Sequence, residues 1–480
     1  MSSPGRFVQL VDGEVSEPTE NLGRVLENPS DGTELGPQKA SSEESVERAL
    51  AAAESAWQEG SWSDLPAAER IATLERFAAA LELRAEEIAR FDAIDSGVPI
   101  ATMRLFAGAL GDSVRGAAQE VAAAGETRPL ASNGRRVEVL RLPWGPAVLL
   151  TPWNAPSGAA VGKLAASLAA GCPTILKPSE WAPSFAQAFA EAALEAGFPP
   201  GALQIVHGDA GVASRLVADS RVRAIALTGS QAAGRAVAAV AAARMAALQL
   251  ELGGSNAAVV AADADVEATA RALGDGAAKL NGQWCEAPRR VLVAAELHDD
   301  LREALVADLS ARRVGAAEDE EAEIGPLAHR AHFEKVREQA AGLGGEATPT
   351  AAVPDAPGFF FSPTIVTGAT PEAAAAEIFG PVLTLHPVAD DREAVAIANA
   401  NGDGLAGYVF SSDPERAFEI GRRLHAGEIR IGGTNLVDLA PGSTQSFWGT
   451  SGFGAHGNRE VLEAFRGSRI VGEEDPALPF

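Results

Sequence analysis

Between residues 146 and 250, short apolar runs alternate with alanine-rich stretches of helical length. No other feature restricts the chain as much. The runs are "PAVLL" (146–150), "PTILK" (173–177), "LQIV" (203–206) and "RAIAL" (223–227). Between and after them come "SGAAVGKLAASLAAG", "SFAQAFAEAALEAG", "GVASRLVAD" and "QAAGRAVAAVAAARM". A parallel sheet needs this order, because each crossover must carry the chain back to the edge it left. The strands are almost wholly apolar, as when helices cover both faces. The expected fold class is α/β, with a doubly wound domain of the Rossmann-like dinucleotide-binding type.

From about residue 254 the alternation resumes with "RVLVA", "LHDDLREALVADLSARR", "VLTLHPV", "DREAVAIANA", "AGYVF", "PERAFEIGRRL" and "EIRI". This predicts a second α/β domain. The Gly/Pro/Ala segment "GLGGEATPTAAVPDAPG" reads as a surface loop. Towards the N-terminus, residues 41–58 predict an amphipathic helix with Ser41 and Glu44 at capping-box spacing. A single helix is predicted from Pro66 through "PAAERIATLERFAAALELRAEEIARF".

Composition narrows the function. The 480 residues carry a formal net charge of −26, so nucleic acid and anionic membrane surfaces repel the chain on average. The opening "MSSPGRFVQL" does not look like a signal peptide, and no apolar run approaches the roughly 18–20 residues of a membrane span. Only two cysteines occur, Cys172 and Cys285, too few for a disulfide framework. A cytoplasmic enzyme acting on a small molecule is expected, with no metal site.

Four stretches fall where strands end, the place at which open α/β sheets bind ligands. They are "TPWNAP" (151–156), "LKPSE" (176–180), "LTGSQAAG" (227–234) and "LELGGSN" (250–256). Each alone is ordinary turn chemistry, and "GSQAAG" departs from the G-x-G-x-x-G fingerprint. In this order, together with "NGQWCEAPRR" (281–290), "EIFGPVL" (377–383) and the opening "ENPSDGTELG", they resemble the aldehyde dehydrogenase superfamily along nearly the whole chain.

The chemistry such a family needs matches these residue types. An aldehyde carbon releases hydride once a thiolate has added to it. Cys285 is the candidate nucleophile, whereas Cys172, in "AAGCPTIL", reads as a small buried hydrophobe. By resemblance, the Asn154 amide and the cysteine's backbone N–H stabilise the oxyanion, and Glu251 activates water against the thioester. A Glu251 pKa raised by an apolar tunnel is expected. Lys163 also matches the family.

The resemblance further implies that Lys177 and Glu180 of "KPSE", with Ser179, meet the adenosine ribose. A carboxylate at 180 favours NAD over NADP, whose 2′-phosphate it would repel. Gly229 and Ser230 open a helix facing the pyrophosphate. Thr151, Pro152, Trp153 and Leu252 complete the cofactor side, with Glu377 at the nicotinamide ribose and Phe379 beside the ring.

Several positions depart from the family. The helix after Asn154 carries small residues, Ala155, Gly158, Ala159 and Gly162, where bulky ones usually line the substrate tunnel. Trp284 is large and offers an aromatic wall. A bulky or aromatic aldehyde is the expected substrate. Glu286 next to the nucleophile is unusual and is expected to pair with Arg289 or Arg290. Gly449 and the "IRIGGTN" segment (429–435) also differ from the family.

The expected division is a cofactor domain of residues 1–120 and 142–253, a catalytic domain of 254–450, and an oligomerisation element of 121–141 and 465–480. The resemblance implies a homodimer or homotetramer. An acyl-transferring dehydrogenase using coenzyme A, and a catalytically silent binding relative, remain as alternatives. The presence of Glu251 favours hydrolysis over transfer.

Overall fold

The computed structural model describes residues 5, 7–132 and 134–476. Two mainly parallel sheets, each covered by helices, face one another across a cleft, so the α/β fold class read from the sequence holds.

The first sheet runs in the order Glu14–Ser16, Gln9–Val11, Leu203–Ile205, Thr174–Lys177, Ala147–Leu150, Ala224–Gly229, Ala247–Leu252, Gly452–Phe453. Its five central strands are parallel, and antiparallel strands close both edges. Side chains alternate between two cores. Ala147 and Leu149 point to one, with Phe77, Leu164 and Phe189; Val148 and Leu150 point to the other, with Val46, Leu50 and Leu216. The chain steps outward from Ala147–Leu150 to Leu203–Ile205, then returns to Ala224–Gly229 on the opposite side. The strand order therefore reverses between Ala147–Leu150 and Ala224–Gly229, opening a crevice at their carboxyl ends.

The second sheet has seven strands, in the order Glu346–Pro349, Thr364–Thr367, Val382–Val388, Pro288–Ala294, Asn256–Val260, Ala406–Phe410, Glu428–Ile431. All but the first are parallel. A separate antiparallel sheet joins Thr127–Pro129, Val137–Pro143 and Arg466–Gly472. Residues 121–124 belong to the preceding helix, Leu110–Ala124. The last four residues of the 465–480 segment lie outside the described residues.

Three local expectations are corrected. The first helix is Glu43–Glu59, capped by Ser42, whose hydroxyl accepts from Ser45 N. The Ser41 hydroxyl is engaged elsewhere, by His207 N. The single helix expected from Pro66 is two, Ala67–Glu82 and Ala85–Ser96. The break leaves Leu83 exposed and turns Ile88, Asp92 and Asp95 inward. Finally, the 342–358 loop contains the edge strand Glu346–Pro349, whose polar, exposed side chains concealed it.

Candidate active site

The cleft lies between the carboxyl ends of the first sheet and the amino ends of the second. Glu251 and Thr228 are register partners on adjacent strands of the first sheet, so both side chains emerge at one level. Lys163 projects towards them from the helix Pro156–Ala170. Its Nζ lies 3.0 Å from Glu251 Oε2, which also accepts from Thr228 Oγ1 at 3.0 Å. Glu251 Oε1 faces the opposite way, 3.2 Å from His456 Nε2 and 3.8 Å from Cys285 Sγ.

Cys285 sits in a tight loop before the strand Pro288–Ala294. The loop is reached through three consecutive left-handed residues, Leu280, Asn281 and Gly282, at φ 49°, 59° and 71°. Such a run is costly for the two non-glycine residues, and buried amides hold it. Asn281 Nδ2 donates to Gly97 O and Pro326 O, and its Oδ1 accepts from Gly325 N. Gln283 binds Ser96 O and Ala328 N. On the far side of the loop, Asn256 Nδ2 donates to Cys285 O and Ala287 O. Asn154 Nδ2 donates to Gln283 O at 2.8 Å, leaving the second amide hydrogen for a ligand oxygen.

The electrostatics are opposed. Burial would raise Glu251, but His456 and Lys163 outweigh it and hold the carboxyl well below the usual range. That corrects the expected upward shift: the tunnel is apolar, yet the Lys163 ammonium and the His456 imidazole reach the Glu251 carboxylate. Burial, reinforced by Glu251, Glu286 and Glu377, pushes the Cys285 thiol well up. At rest, therefore, the proton sits on sulfur. Cys172 is fully buried, and burial pushes its thiol up to about 12.

A cavity of about 440 Å³ runs along the cleft. Among the expected residues, Pro152, Trp153, Asn154, Gly229, Ser230, Glu251, Cys285, Glu377 and Phe379 line it. Ser230, on the cavity wall, caps the helix Gln231–Arg244, its hydroxyl accepting from Ala233 N. Glu377 accepts from Gly254 N at 3.2 Å, and burial lifts its carboxyl to about 7. A Cβ at Gly253 would meet that carboxylate at 2.3 Å, so a side chain there would displace Glu377.

Thr151, Lys177, Ser179, Glu180 and Leu252 stand behind or beside the cavity. Lys177 pairs with Glu180 at 3.6 Å, and Ser179 Oγ accepts from Trp181 N. Thr151 Oγ1 is buried with no hydrogen-bond partner. Leu252 packs against the Gln231–Arg244 helix at Gly234. Trp284 is buried under the Lys279 ammonium and is absent from the cavity wall. None of the small residues lines the cavity either: Ala155, Gly158 and Ala159 are half-buried, with Phe106 3.5 Å from a Cβ built at Gly158, and Gly162 is exposed. A Cβ at Gly162 would meet nothing within 4 Å. Glu286 forms no pair with Arg289 or Arg290. It accepts from Gln445 Nε2 at 2.7 Å, while the two guanidiniums bind backbone carbonyls, Gly380 O and Ser255 O among them.

Sequence reasoning missed Thr228, His456, Trp181, His329, His332 and Lys335. His329 stacks on Trp181 (3.9 Å, 9°), and His332 lies 4.7 Å from the Trp153 ring. Burial holds both imidazoles neutral, His329 down to about 3 and His332 to about 4. Only Thr228 left a signal, as part of "LTGS" beside the partner strand of Glu251.

The aldehyde dehydrogenase family profile matches residues 19–471. The chain belongs to this family. It is 35% identical to the geranial dehydrogenase of Castellaniella defragrans, over 89% of this chain and 90% of that one. It is 32% identical to a 4-(hydroxymethyl)benzenesulfonate dehydrogenase of Comamonas testosteroni, over 96% and 97%. The fold superimposes on the betaine aldehyde dehydrogenase of Staphylococcus aureus in complex with NAD+, with a TM-score of 0.90. Sequence identity there is 27%, covering 98% of this chain and 96% of that one. Among the described residues, no helix is long and apolar enough to cross a membrane.

Proposed function

We propose that the chain oxidises a bulky or aromatic aldehyde to its carboxylic acid with NAD, through a thiohemiacetal and then a thioester on Cys285. One observation carries this reading: Cys285 Sγ stands 3.8 Å from Glu251 Oε1, with the Asn154 amide anchored on the residue two before the nucleophile.

The residues present fit a nicotinamide dinucleotide. The crevice lies at a strand-order reversal, a helix N-terminus opens onto it, and Glu377 offers a carboxylate oxygen for hydroxyl groups. Lys177 and Glu180 would hold the adenosine ribose, Ser230 and its helix the phosphates, and Glu377 and Phe379 the nicotinamide end. When bound, the oxidised ring supplies the acceptor for the hydride.

The remaining steps belong to the chain. Glu251 takes the thiol proton, and the sulfur adds to the aldehyde carbon. The Asn154 amide donates to the developing oxyanion, a contact worth about 3–4 kcal/mol in such sites. After thioester formation, Glu251 takes a proton from water as water adds to the acyl carbon. Relatives named for geranial and for a substituted benzene support a large substrate. The net charge and family membership support a cytoplasmic enzyme. The exposed Ile470 and Val471 on the small antiparallel sheet support assembly as a dimer or tetramer.

The test follows NADH formation with aliphatic, aromatic and terpenoid aldehydes, with and without coenzyme A. The free acid from large aldehydes is the expected product. Exclusive use of acetaldehyde-sized substrates overturns the size assignment, and a requirement for coenzyme A overturns hydrolysis.

A further inference from the structure

Glu251 is used twice in each turnover. It takes the thiol proton before the sulfur attacks, and it must be empty again before it can take a proton from water. One proton therefore has to leave between the two half-reactions. Lys163 and Thr228, on Oε2, are donors and offer no exit. Oε1 has another neighbour, the His456 imidazole, with Nε2 at 3.2 Å and two-fifths of its side chain in contact with solvent.

We propose that His456 is the proton exit of the site, receiving at Nε2 the proton that Glu251 took from Cys285 and releasing one to solvent. The inference rests on the reading of Cys285 and Glu251 given above. His456 acts through Glu251 and touches no reacting atom.

The protons balance. The thiol proton goes to Glu251, then to Nε2; the imidazolium loses its Nδ1 proton to water, and exchange with solvent moves the remaining proton from Nε2 to Nδ1, restoring the working tautomer. Glu251 next takes a proton from the hydrolytic water as the C–O bond forms and the C–S bond breaks. The electron pair of that bond goes to sulfur. The acid departs, and Glu251 returns its proton to the thiolate. Each turnover sends one proton out through His456 and a second by ionisation of the released acid.

The working form is the neutral imidazole, with its lone pair at Nε2. The groups facing it are Glu251 from the strand Ala247–Leu252, Lys163 from the helix Pro156–Ala170, Glu286 from the loop after the nucleophile, and the Phe447 ring edge-on at 4.9 Å. Burial lowers His456, Glu251 and Glu286 raise it, and Lys163 opposes them; the net direction is upward from 6.5. Turnover should therefore rise with pH along an acid limb above 6.5. Below that limb His456 is held as an imidazolium against the carboxylate and cannot accept.

The test uses p-nitrophenyl acetate, which acylates the thiol without cofactor. The burst of p-nitrophenolate reports acylation, and the steady rate reports the emptying of Glu251 and hydrolysis. With the enzyme-free hydrolysis of the ester by imidazole subtracted throughout, His456→Ala should keep the burst, slow the steady rate about tenfold, and recover it as imidazole is added. His456→Gln, whose amide can still hydrogen-bond to Glu251, should fold like the parent, lose the acid limb and respond to no imidazole. The side chain is free to change because His456 pairs with Gln445 through the backbone. A steady rate unchanged in both variants, an acid limb persisting in His456→Gln, or no rescue of His456→Ala overturns the proposal. Failure of the underlying reading looks different: the parent protein then shows no burst, or one that survives in Cys285→Ala.

Discussion

The two walls of the cleft are built in opposite ways. On the first-sheet wall, Thr228 and Glu251 sit at the carboxyl ends of parallel strands and Asn154 in the turn beyond a third. The helices that follow bring Lys163 and amino-terminal N–H groups into the same space, so this wall favours negative charge. On the second-sheet wall, Cys285, Glu377 and Phe379 lie in loops that precede strands, and there the thiol is raised chiefly by burial, then by Glu251 across the cleft and by Glu286 and Glu377 beside it. The consequence is a pair of opposed shifts. Glu251 is held low on one wall and Cys285 high on the other, so the free enzyme rests as thiol and carboxylate. Its sulfur stays quiet until proton transfer across the cleft.

Breaking the second wall should have the largest effect. Cys285→Ala in folded protein should lower aldehyde oxidation by roughly 10,000-fold or more, read as NADH formation. On the first wall, Glu251→Gln should slow turnover by about 100- to 10,000-fold. The same variant sharpens the comparison, because it removes the nearest negative charge from the thiol. At pH 8, alkylation of Cys285 by iodoacetamide, followed by mass spectrometry, should become faster although catalysis is slower. A slower alkylation would mean that Glu251 activates the thiol at rest. Asn154→Ala should cost about 100- to 1,000-fold in kcat with little change in KM, the pattern of an interaction made in the transition state.

The sequence revealed the first wall more fully than the second. Strand alternation placed four loops at strand ends, and the family motifs in those loops picked out their residues. Glu251, Asn154, Gly229 and Ser230 were legible for that reason. Cys285 and Glu377 were legible through family motifs, since nothing in local periodicity marks a loop before a strand as functional. His456 was not legible at all. It reaches Glu251 because the short strand Gly452–Phe453 returns to the edge of the first sheet, a pairing between segments far apart in the chain. The direction of the Glu251 shift failed for the same reason: burial can be guessed from neighbouring residues, but a cation delivered from another strand cannot. Trp284 shows the reverse error, a large side chain beside the nucleophile that turns inward to the core.

The smallest effect on rate, and the most informative about how the walls are joined, concerns the helix Ala85–Ser96. Its Asp92 carboxylate accepts from Ser157 N and Oγ at the start of the helix that carries Lys163, and its Ser96 carbonyl accepts from Gln283 in the nucleophile loop. The helix is thus a strut between the two walls. Burial raises Asp92 from 3.8 to about 8, against the Ser157 hydrogen bonds that lower it. A carboxyl whose folded pKa lies above its unfolded value binds its proton more tightly in the native state. Its stabilising contribution is complete below the unfolded pKa, near 4, and is lost as pH rises through the folded one, near 8. Other carboxylates in the chain, held low by arginines, act in the opposite sense, so the comparison must be made between variants. Asp92→Asn retains an acceptor oxygen for Ser157 and removes the titration. Between pH 5 and pH 9 the parent should lose roughly 4 kcal/mol relative to Asp92→Asn, read as a narrowing gap in thermal midpoint that ends in favour of the variant. A gap that stays constant over this range would show that the Asp92 proton does not respond to folding, and that the strut is held by the Ser96 and Gly97 carbonyls alone.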